Sequence, residues 1–365
     1  MAEDAAVVRL VEAGGSGFSL VHRRLLSPRG RNDEKSQKAA PECMKGPKLF
    51  VHAELLARAN GRVSIRSMGA GYQILSEDQA EHFLDRGYVV IGDCFTPEAA
   101  EEYTRTIWTR LGYDPGDRST WAEPGTHLPA HREMDIREFA PKAWGAVCDL
   151  VGGEDRIKQP YNWGDGFVVN LSQGSEEPWS PPSARSPGWH KDGDFFRHFL
   201  DSPEQGLLTL VLWSDVQHQG GATFVAADSI APVARFLADH PEGVLPTDFP
   251  YANLVGQCAD FVEATGRIGD VYLLHPYILH AKAQNLLRRP RFITNPPVTL
   301  AEPMNFNRPN PADFSLVERT ILRALDVDHY DFTPTAPREE VVPERVLRQA
   351  RMKTEEEARL AARSN

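Results

Sequence analysis

His190 and Asp192 stand two residues apart, His280 follows ninety residues after the first histidine, and Arg291 lies eleven residues further on. Side chains of an extended segment alternate with period two, so the imidazole and carboxylate of an H-x-D pair share a face. A distant second histidine would complete two neutral nitrogens and one anionic oxygen, a donor set suited to Fe(II). Three such ligands occupy one face of an octahedron and leave adjacent positions where an oxidisable co-substrate and dioxygen can meet. The chemistry suggested is that of an oxygenase. The planar fork of an arginine takes a carboxylate through two parallel hydrogen bonds, so Arg291 in the interior would hold the far carboxylate of a dicarboxylic co-substrate.

The second histidine has two candidates, His275 and His280. They differ in parity along a regular strand, but Pro276 interrupts that strand, so parity does not decide between them. The spacing from His280 to Arg291, across the turn from Asn285 to Pro290, favours His280 and leaves His275 as a packed imidazole. Asp194, His198 and His218 are further possible ligands, with Asp194 pointing the same way as Asp192 one step along. Arg288 and Arg289 fall in the turn and are expected to face water.

These residues need a scaffold that gathers distant segments. β-Branched and aromatic runs at 166–171, 187–193, 207–214, 222–226, 257–264, 270–275, 278–283 and 291–298 predict eight short strands separated by turns. Such a series suggests a jelly-roll of two facing sheets. Before it, Ser76 and Gln79 form a capping box that opens a helix at 77–86, stopped by Gly87 and followed by a strand at 88–91. Thr96-Pro97 starts a second helix carrying Tyr103, Ile107 and Leu111. Val233 to Asp239 and residues 314–325 have helical patterns, and the Glu-, Arg- and Ala-rich tail from Pro343 predicts a solvated helix. The proline-rich stretch 175–187 precedes the H-x-D pair directly, as a lid over the site or as a surface loop.

The bulk composition bounds what this scaffold serves. A chain of 365 residues, 41% hydrophobic and 25% charged, can bury a sizeable core, which excludes wholesale disorder. Its net charge of −11 repels polyanions, arguing against nucleic acid or an anionic membrane surface as partner. Cys43, Cys94, Cys148 and Cys258 are scattered with no C-x-x-C pair, and Met1-Ala2-Glu3-Asp4 lacks a basic start with an apolar run behind it. A reduced, cytoplasmic chain is the expectation, with no apolar run long enough to span a bilayer.

Taken together, Trp189-His190-Lys191-Asp192, Leu212-Trp213-Ser214-Asp215, Gly220-Gly221-Ala222-Thr223-Phe224 and Gly269-Asp270-Val271-Tyr272-Leu273-Leu274-His275-Pro276, running on to His280, Asn285 and Arg291, carry a resemblance. The pattern resembles the phytanoyl-CoA dioxygenase-like branch of Fe(II)/2-oxoglutarate oxygenases over roughly residues 75–300, including the start at Leu75 to Ile91. The resemblance implies a mainly β fold with flanking helices around a double-stranded β-helix, the jelly-roll or cupin-like core. It implies His190, Asp192 and His280 as iron ligands, Arg291 as the 2-oxoglutarate anchor, and Asn170 and Trp213 as residues lining the co-substrate pocket. One departure is visible: Ala226-Ala227-Asp228-Ser229 stands where the family often has Pro-Gly-Ser-His.

The implied reaction couples decarboxylation of 2-oxoglutarate by dioxygen, giving succinate and carbon dioxide, to hydroxylation of a small organic metabolite. Related halogenases carry a small residue at the carboxylate position, so Asp192 argues against halogenation. A catalytically silent jelly-roll that binds or senses a ligand is the alternative from another class, and a metal-dependent isomerase or ring-cleaving enzyme is a third reading. Trp163, Trp179, Phe195, Phe196 and Arg197 flank the motif and suggest an aromatic, partly cationic mouth. The expected division is a weakly ordered extension at 1–45, the oxygenase domain at 46–312 and a helical extension at 313–365.

Overall fold

The computed structural model describes residues 71–364; the extension expected at 1–45 and the stretch 46–70 lie outside the described residues. In chain order the strands are β1 (Tyr88–Ile91), β2 (Gly125–His127), β3 (Glu133–Asp135), β4 (Asn162–Gly164), β5 (Val168–Asn170) and β6 (Leu207–Leu212). They continue with β7 (Thr223–Ala226), β8 (Phe261–Ala264), β9 (Val271–Leu274), β10 (Leu279–Lys282), β11 (Arg291–Thr294) and β12 (Pro297–Val298). The helices are α1 (Glu77–Arg86), α2 (Pro97–Thr104), α3 (Ile107–Leu111), α4 (Ile136–Phe139), α5 (Pro141–Val151), α6 (Ile230–Ala238), α7 (Tyr251–Val255), α8 (Leu316–Leu325) and α9 (Glu344–Ser364).

The architecture is mainly antiparallel β with flanking helices, a jelly-roll core. Its larger sheet runs β1-β9-β6-β11-β5-β2, with β12 also on β6; the smaller runs β10-β7-β8, and β3 pairs with β4. Burial explains the composition of the central strands. Every residue of β6, β7 and β9 is buried, so these strands read as continuous apolar runs rather than alternating ones. The two sheets are stitched by polar side chains. Asn285 Nδ2 donates to the Asn170 carbonyl at 3.0 Å, and the Arg291 side chain of the larger sheet reaches the Gly221 carbonyl just before β7.

Helices cover the larger sheet because their ends are well specified. Ser76 and Gln79 exchange hydrogen bonds at the start of α1, Ser315 and Glu318 do the same at α8, and Gly87 ends α1 with φ 69°. α8 packs on α1, α5 and α6 and buries Leu316, Val317, Ile321 and Leu322. The helix expected to run from Thr96 through Leu111 is divided into α2 and α3. Thr104 bonds the Ala100 carbonyl at 2.8 Å through its own hydroxyl, a contact that bends helices.

Two further differences from the sequence expectation matter for the site. Residues 187–193 form no strand; His190 makes only an isolated bridge to His280, because Gly188 (φ 79°) and Gly193 (φ 109°) turn the chain out of extended geometry on both sides. The tail helix α9 exists, but it is not freely solvated. Glu356 is fully buried, accepting from Arg110 Nε at 2.7 Å and facing His131 Nε2 at 2.9 Å. Among the described residues, no helix is long and apolar enough to cross a membrane.

Candidate metal centre

His190 and His280 are directly opposed residues that exchange both backbone hydrogen bonds, at 3.0 and 2.9 Å. Opposed residues in an antiparallel bridge project to the same side, which brings the two imidazoles to a centroid separation of 4.4 Å. Asp192, two residues on, joins them. One ligand atom from each of His190, Asp192 and His280 lies within 4.8 Å of the others. Nε2 of His190 and of His280 are 3.5 and 3.4 Å from Asp192 Oδ1.

The atoms around this trio aim it. His190 Nδ1 is 2.8 Å from the Gly188 carbonyl and His280 Nδ1 is 3.3 Å from the Ile278 carbonyl. Each carbonyl demands a proton on Nδ1, leaving the Nε2 lone pairs directed at the shared point. Asn295 Nδ2 donates to Asp192 Oδ2 at 2.8 Å, so the carboxylate presents Oδ1 inward. Burial alone would raise the Asp192 pKa, but His280 and His190 beside it hold the carboxyl well below the usual carboxylate range. Burial is the largest influence on His190 and opposes its charge, but the hydrogen bond and charge of Asp192 together with the Gly188 carbonyl outweigh it and raise the pKa. Two neutral nitrogens with fixed lone pairs and one ionised oxygen suit a divalent transition metal.

The other candidate ligands are engaged elsewhere. Asp194 takes two 2.6 Å hydrogen bonds from Arg345. His198 is buried against the Lys191 amine at 2.9 Å, and His218 pairs with Glu263. His275 accepts from the Tyr277 amide through Nδ1 and faces the Val317 carbonyl through Nε2, so both ring nitrogens are spent; burial lowers its pKa to about 3.

Arg291 is 1% exposed. Its Nε donates to the Gly221 carbonyl at 2.7 Å and its Nη1 to the Val168 carbonyl at 3.1 Å. Among the described residues no carboxylate pairs with it, and burial pulls its pKa down to about 10. It lies opposite Asn170 in the register of β11 with β5. Asn170 is itself committed to the scaffold: its Oδ1 accepts from the Gln173 amide and its Nδ2 donates to the Ala283 carbonyl. Trp213 follows Leu212, the partner of Ile293, so alternation puts it on the sheet face away from Arg291. There it stacks on Phe95 and Tyr103 at 4.7 Å and donates to Thr294 Oγ1.

The expected aromatic mouth is reduced by burial. Trp163 and Phe196 are enclosed, at 0% and 1% exposure, and serve packing. The proline-rich loop is stapled to Gln284, whose amide nitrogen donates to the carbonyls of Gly174, Glu177 and Pro178 and whose oxygen accepts from the Ser180 amide. Sequence reasoning missed Asn295, Lys282 and Arg345. The first two were available by alternation, Asn295 four residues beyond Arg291 and Lys282 two beyond His280; Arg345 comes from the tail helix, for which spacing offers no signal.

A scan against protein-family models and a comparison with curated proteins return no match. Among solved structures, the chain is similar to the non-heme alpha-ketoglutarate-dependent carbocyclase SnoK from nogalamycin biosynthesis, at 15% identity and a TM-score of 0.38, covering 60% of this chain and 82% of that one. It is also similar to HygX from Streptomyces hygroscopicus, solved with nickel and 2-oxoglutarate bound, at 16% identity and TM-score 0.34, covering 60% and 85%. A third is the non-heme monooxygenase ThoJ in its nickel complex, at 16% identity and TM-score 0.39, covering 79% and 99%. At these scores the likeness decides neither a reaction nor any residue's role, which rest on the side chains described above.

Proposed function

We propose that this chain is an Fe(II)/2-oxoglutarate-dependent dioxygenase that hydroxylates a small organic metabolite. The observation that carries the reading is a buried guanidinium without an anionic partner among the described residues, in the same jelly-roll as a His-Asp-His trio whose lone pairs converge. An uncompensated buried cation is costly, and a dicarboxylate ligand would supply its missing charge. His190 Nε2, Asp192 Oδ1 and His280 Nε2 would hold the metal, and Arg291 would clamp the far carboxylate of 2-oxoglutarate.

Bound Fe(II) would supply coordination positions for the keto-acid end of 2-oxoglutarate and for dioxygen. The overall conversion balances as 2-oxoglutarate plus dioxygen plus R–H giving succinate, carbon dioxide and R–OH. The chain's own contributions are positional. Gly188 and Ile278 fix the imidazole tautomers through their carbonyls, Asn295 fixes the carboxylate, and the enclosing sheets exclude water from around Arg291.

Anaerobic addition of Fe(II) and then 2-oxoglutarate tests this directly. A weak visible charge-transfer band is expected, followed in air by succinate release that rises when substrate is present. A folded, metal-loaded protein with no band would favour the silent binding reading. Turnover without succinate would favour an isomerase or ring-cleaving enzyme.

A further inference from the structure

The mouth of the metal centre carries positive charge that neither the metal nor 2-oxoglutarate uses. Lys282 lies two residues beyond His280 on β10 and so shares its face. It is exposed, and its ammonium makes no hydrogen bond or ion pair among the described residues. The start of α9 is fastened to the same place. The Val341 amide donates to the Phe195 carbonyl, Phe196 bridges Glu340, and Arg345 grips Asp194, two residues beyond the ligand Asp192. Arg348 sits three residues after Arg345, hence on a neighbouring position of the same helix face, exposed and likewise without a partner among the described residues.

Both cations are tied to the ligand-bearing segment: Lys282 shares the face of His280, whose Nε2 is 3.4 Å from Asp192 Oδ1, and Arg348 stands one turn beyond the Arg345 that grips Asp194. Gln349, next to Arg348 on α9, donates to the His127 carbonyl at 3.5 Å, which sets that residue beside the same helix. His127 of β2 is paired with Val168 and so faces the same interior as Arg291; its ring makes no hydrogen bond among the described residues. Burial, then Arg345, hold this imidazole neutral, with its pKa near 4, and it remains able to donate one N–H. On a chain of net charge −11, a local cluster of unpaired cations concentrates anions where the rest of the surface repels them.

We propose that Lys282 and Arg348, with His127 beside them, form an oxyanion subsite at the mouth of the metal centre, so that the molecule oxidised there carries a carboxylate, sulfate or phosphate group. The inference about the oxidised molecule rests on the oxygenase reading, whereas the subsite rests only on the chain's own cations.

The probe is inorganic phosphate, titrated calorimetrically into the protein loaded with Ni(II) and saturating 2-oxoglutarate, which keeps Arg291 occupied. Saturable phosphate binding is expected, weakened about tenfold or more in Lys282→Met and in Arg348→Met, with 2-oxoglutarate affinity unchanged in both. Absence of saturable binding, or equal binding by the variants, overturns the subsite. A loss of 2-oxoglutarate affinity in Lys282→Met also overturns it, because Lys282 would then belong to the co-substrate. The same titration on metal-free protein separates the two readings: phosphate binding that still depends on Lys282 and Arg348, in a protein that takes up neither Ni(II) nor 2-oxoglutarate, leaves the subsite standing while the oxygenase reading falls. With Fe(II) enzyme, compounds that stimulate succinate release are expected in the anion-exchange-retained fraction of a metabolite extract. Stimulation confined to the unretained fraction overturns the assignment to the oxidised molecule and leaves a free anion as occupant.

Discussion

Asn295 holds Asp192 by its outer oxygen, at 2.8 Å, and thereby leaves the inner oxygen nearly equidistant from the Nε2 atoms of His190 and His280. Removing the amide frees the carboxylate to rotate without deleting a ligand. Asn295→Ala is expected to weaken divalent metal binding about 10- to 100-fold, a loss typical of residues that orient a ligand. Calorimetric titration with Ni(II), beside a circular dichroism spectrum that matches the parent, checks it.

Asp192→Ala and His280→Ala are expected to abolish metal binding and turnover with the fold retained. His275→Ala should bind metal normally yet unfold more easily, since its two hydrogen bonds tie the turn after β9 to α8. Metal content by atomic emission, set beside the urea midpoint of each variant, separates ligand from scaffold. Loss of metal in His275→Ala with retention in His280→Ala would reverse the assignment.

Arg291→Lys is expected to weaken 2-oxoglutarate binding nearly as much as Arg291→Ala, by about 100-fold, because an ammonium cannot present two parallel donors to a carboxylate. Metal affinity should be unchanged in both. Titration of 2-oxoglutarate into Ni(II)-loaded protein reads the difference, and full rescue by lysine would show that Arg291 acts as a point charge only.

The buried His275 also sets a pH dependence. Its folded pKa near 3 lies below that of an unfolded histidine, so between those values the unfolded chain binds more protons and stability rises with pH. The contribution is complete above about pH 6.5 and fades as pH falls toward 3, with an upper bound on the order of 5 kcal/mol. His127 and His198, also lowered by burial, act with the same sign. His275→Asn should be less stable at pH 7, and its Tm should fall less steeply than the parent's between pH 7 and pH 4.

Glu356 anchors α9 through Arg110, both nearly inaccessible to solvent. Breaking a buried pair by deleting one member leaves the other charge uncompensated, and Glu356→Ala should cost about 3 kcal/mol. Asp165, 3.4 Å from Arg110 Nη1, limits the damage. A shifted denaturant midpoint with unchanged slope is the expected result.

Much of the fold was legible because its signals are local. The capping box at Ser76 fixes where α1 begins, the amphipathic spacing of 314–325 marks α8, and the apolar runs of β6, β7 and β9 follow from burial on both faces. The trio was legible in type and spacing, but the reason it converges is the bridge between His190 and His280, a pairing across ninety residues that no local rule reveals. The segment 187–193 misleads for a stated cause: its β-favouring residues sit between glycines that leave extended geometry. The stretch from Gly112 to Gly166 offered little period-two or period-3.6 signal. Its β2, β3 and β4 are three residues each, and α5 is apolar on nearly every side because it is buried. Trp213 shows how a pocket residue and a core residue look alike in sequence, since both are large, apolar and next to a strand end.

Trp189 adjoins the ligand His190, and its indole nitrogen donates to the Ser183 carbonyl in the proline-rich loop at 3.0 Å. Its ring is 7% exposed and lies against Phe261. The molecule therefore carries an intrinsic fluorophore wired to both the ligand-bearing segment and the loop beside it. A shift in its emission would register displacement of that loop optically, without any added label.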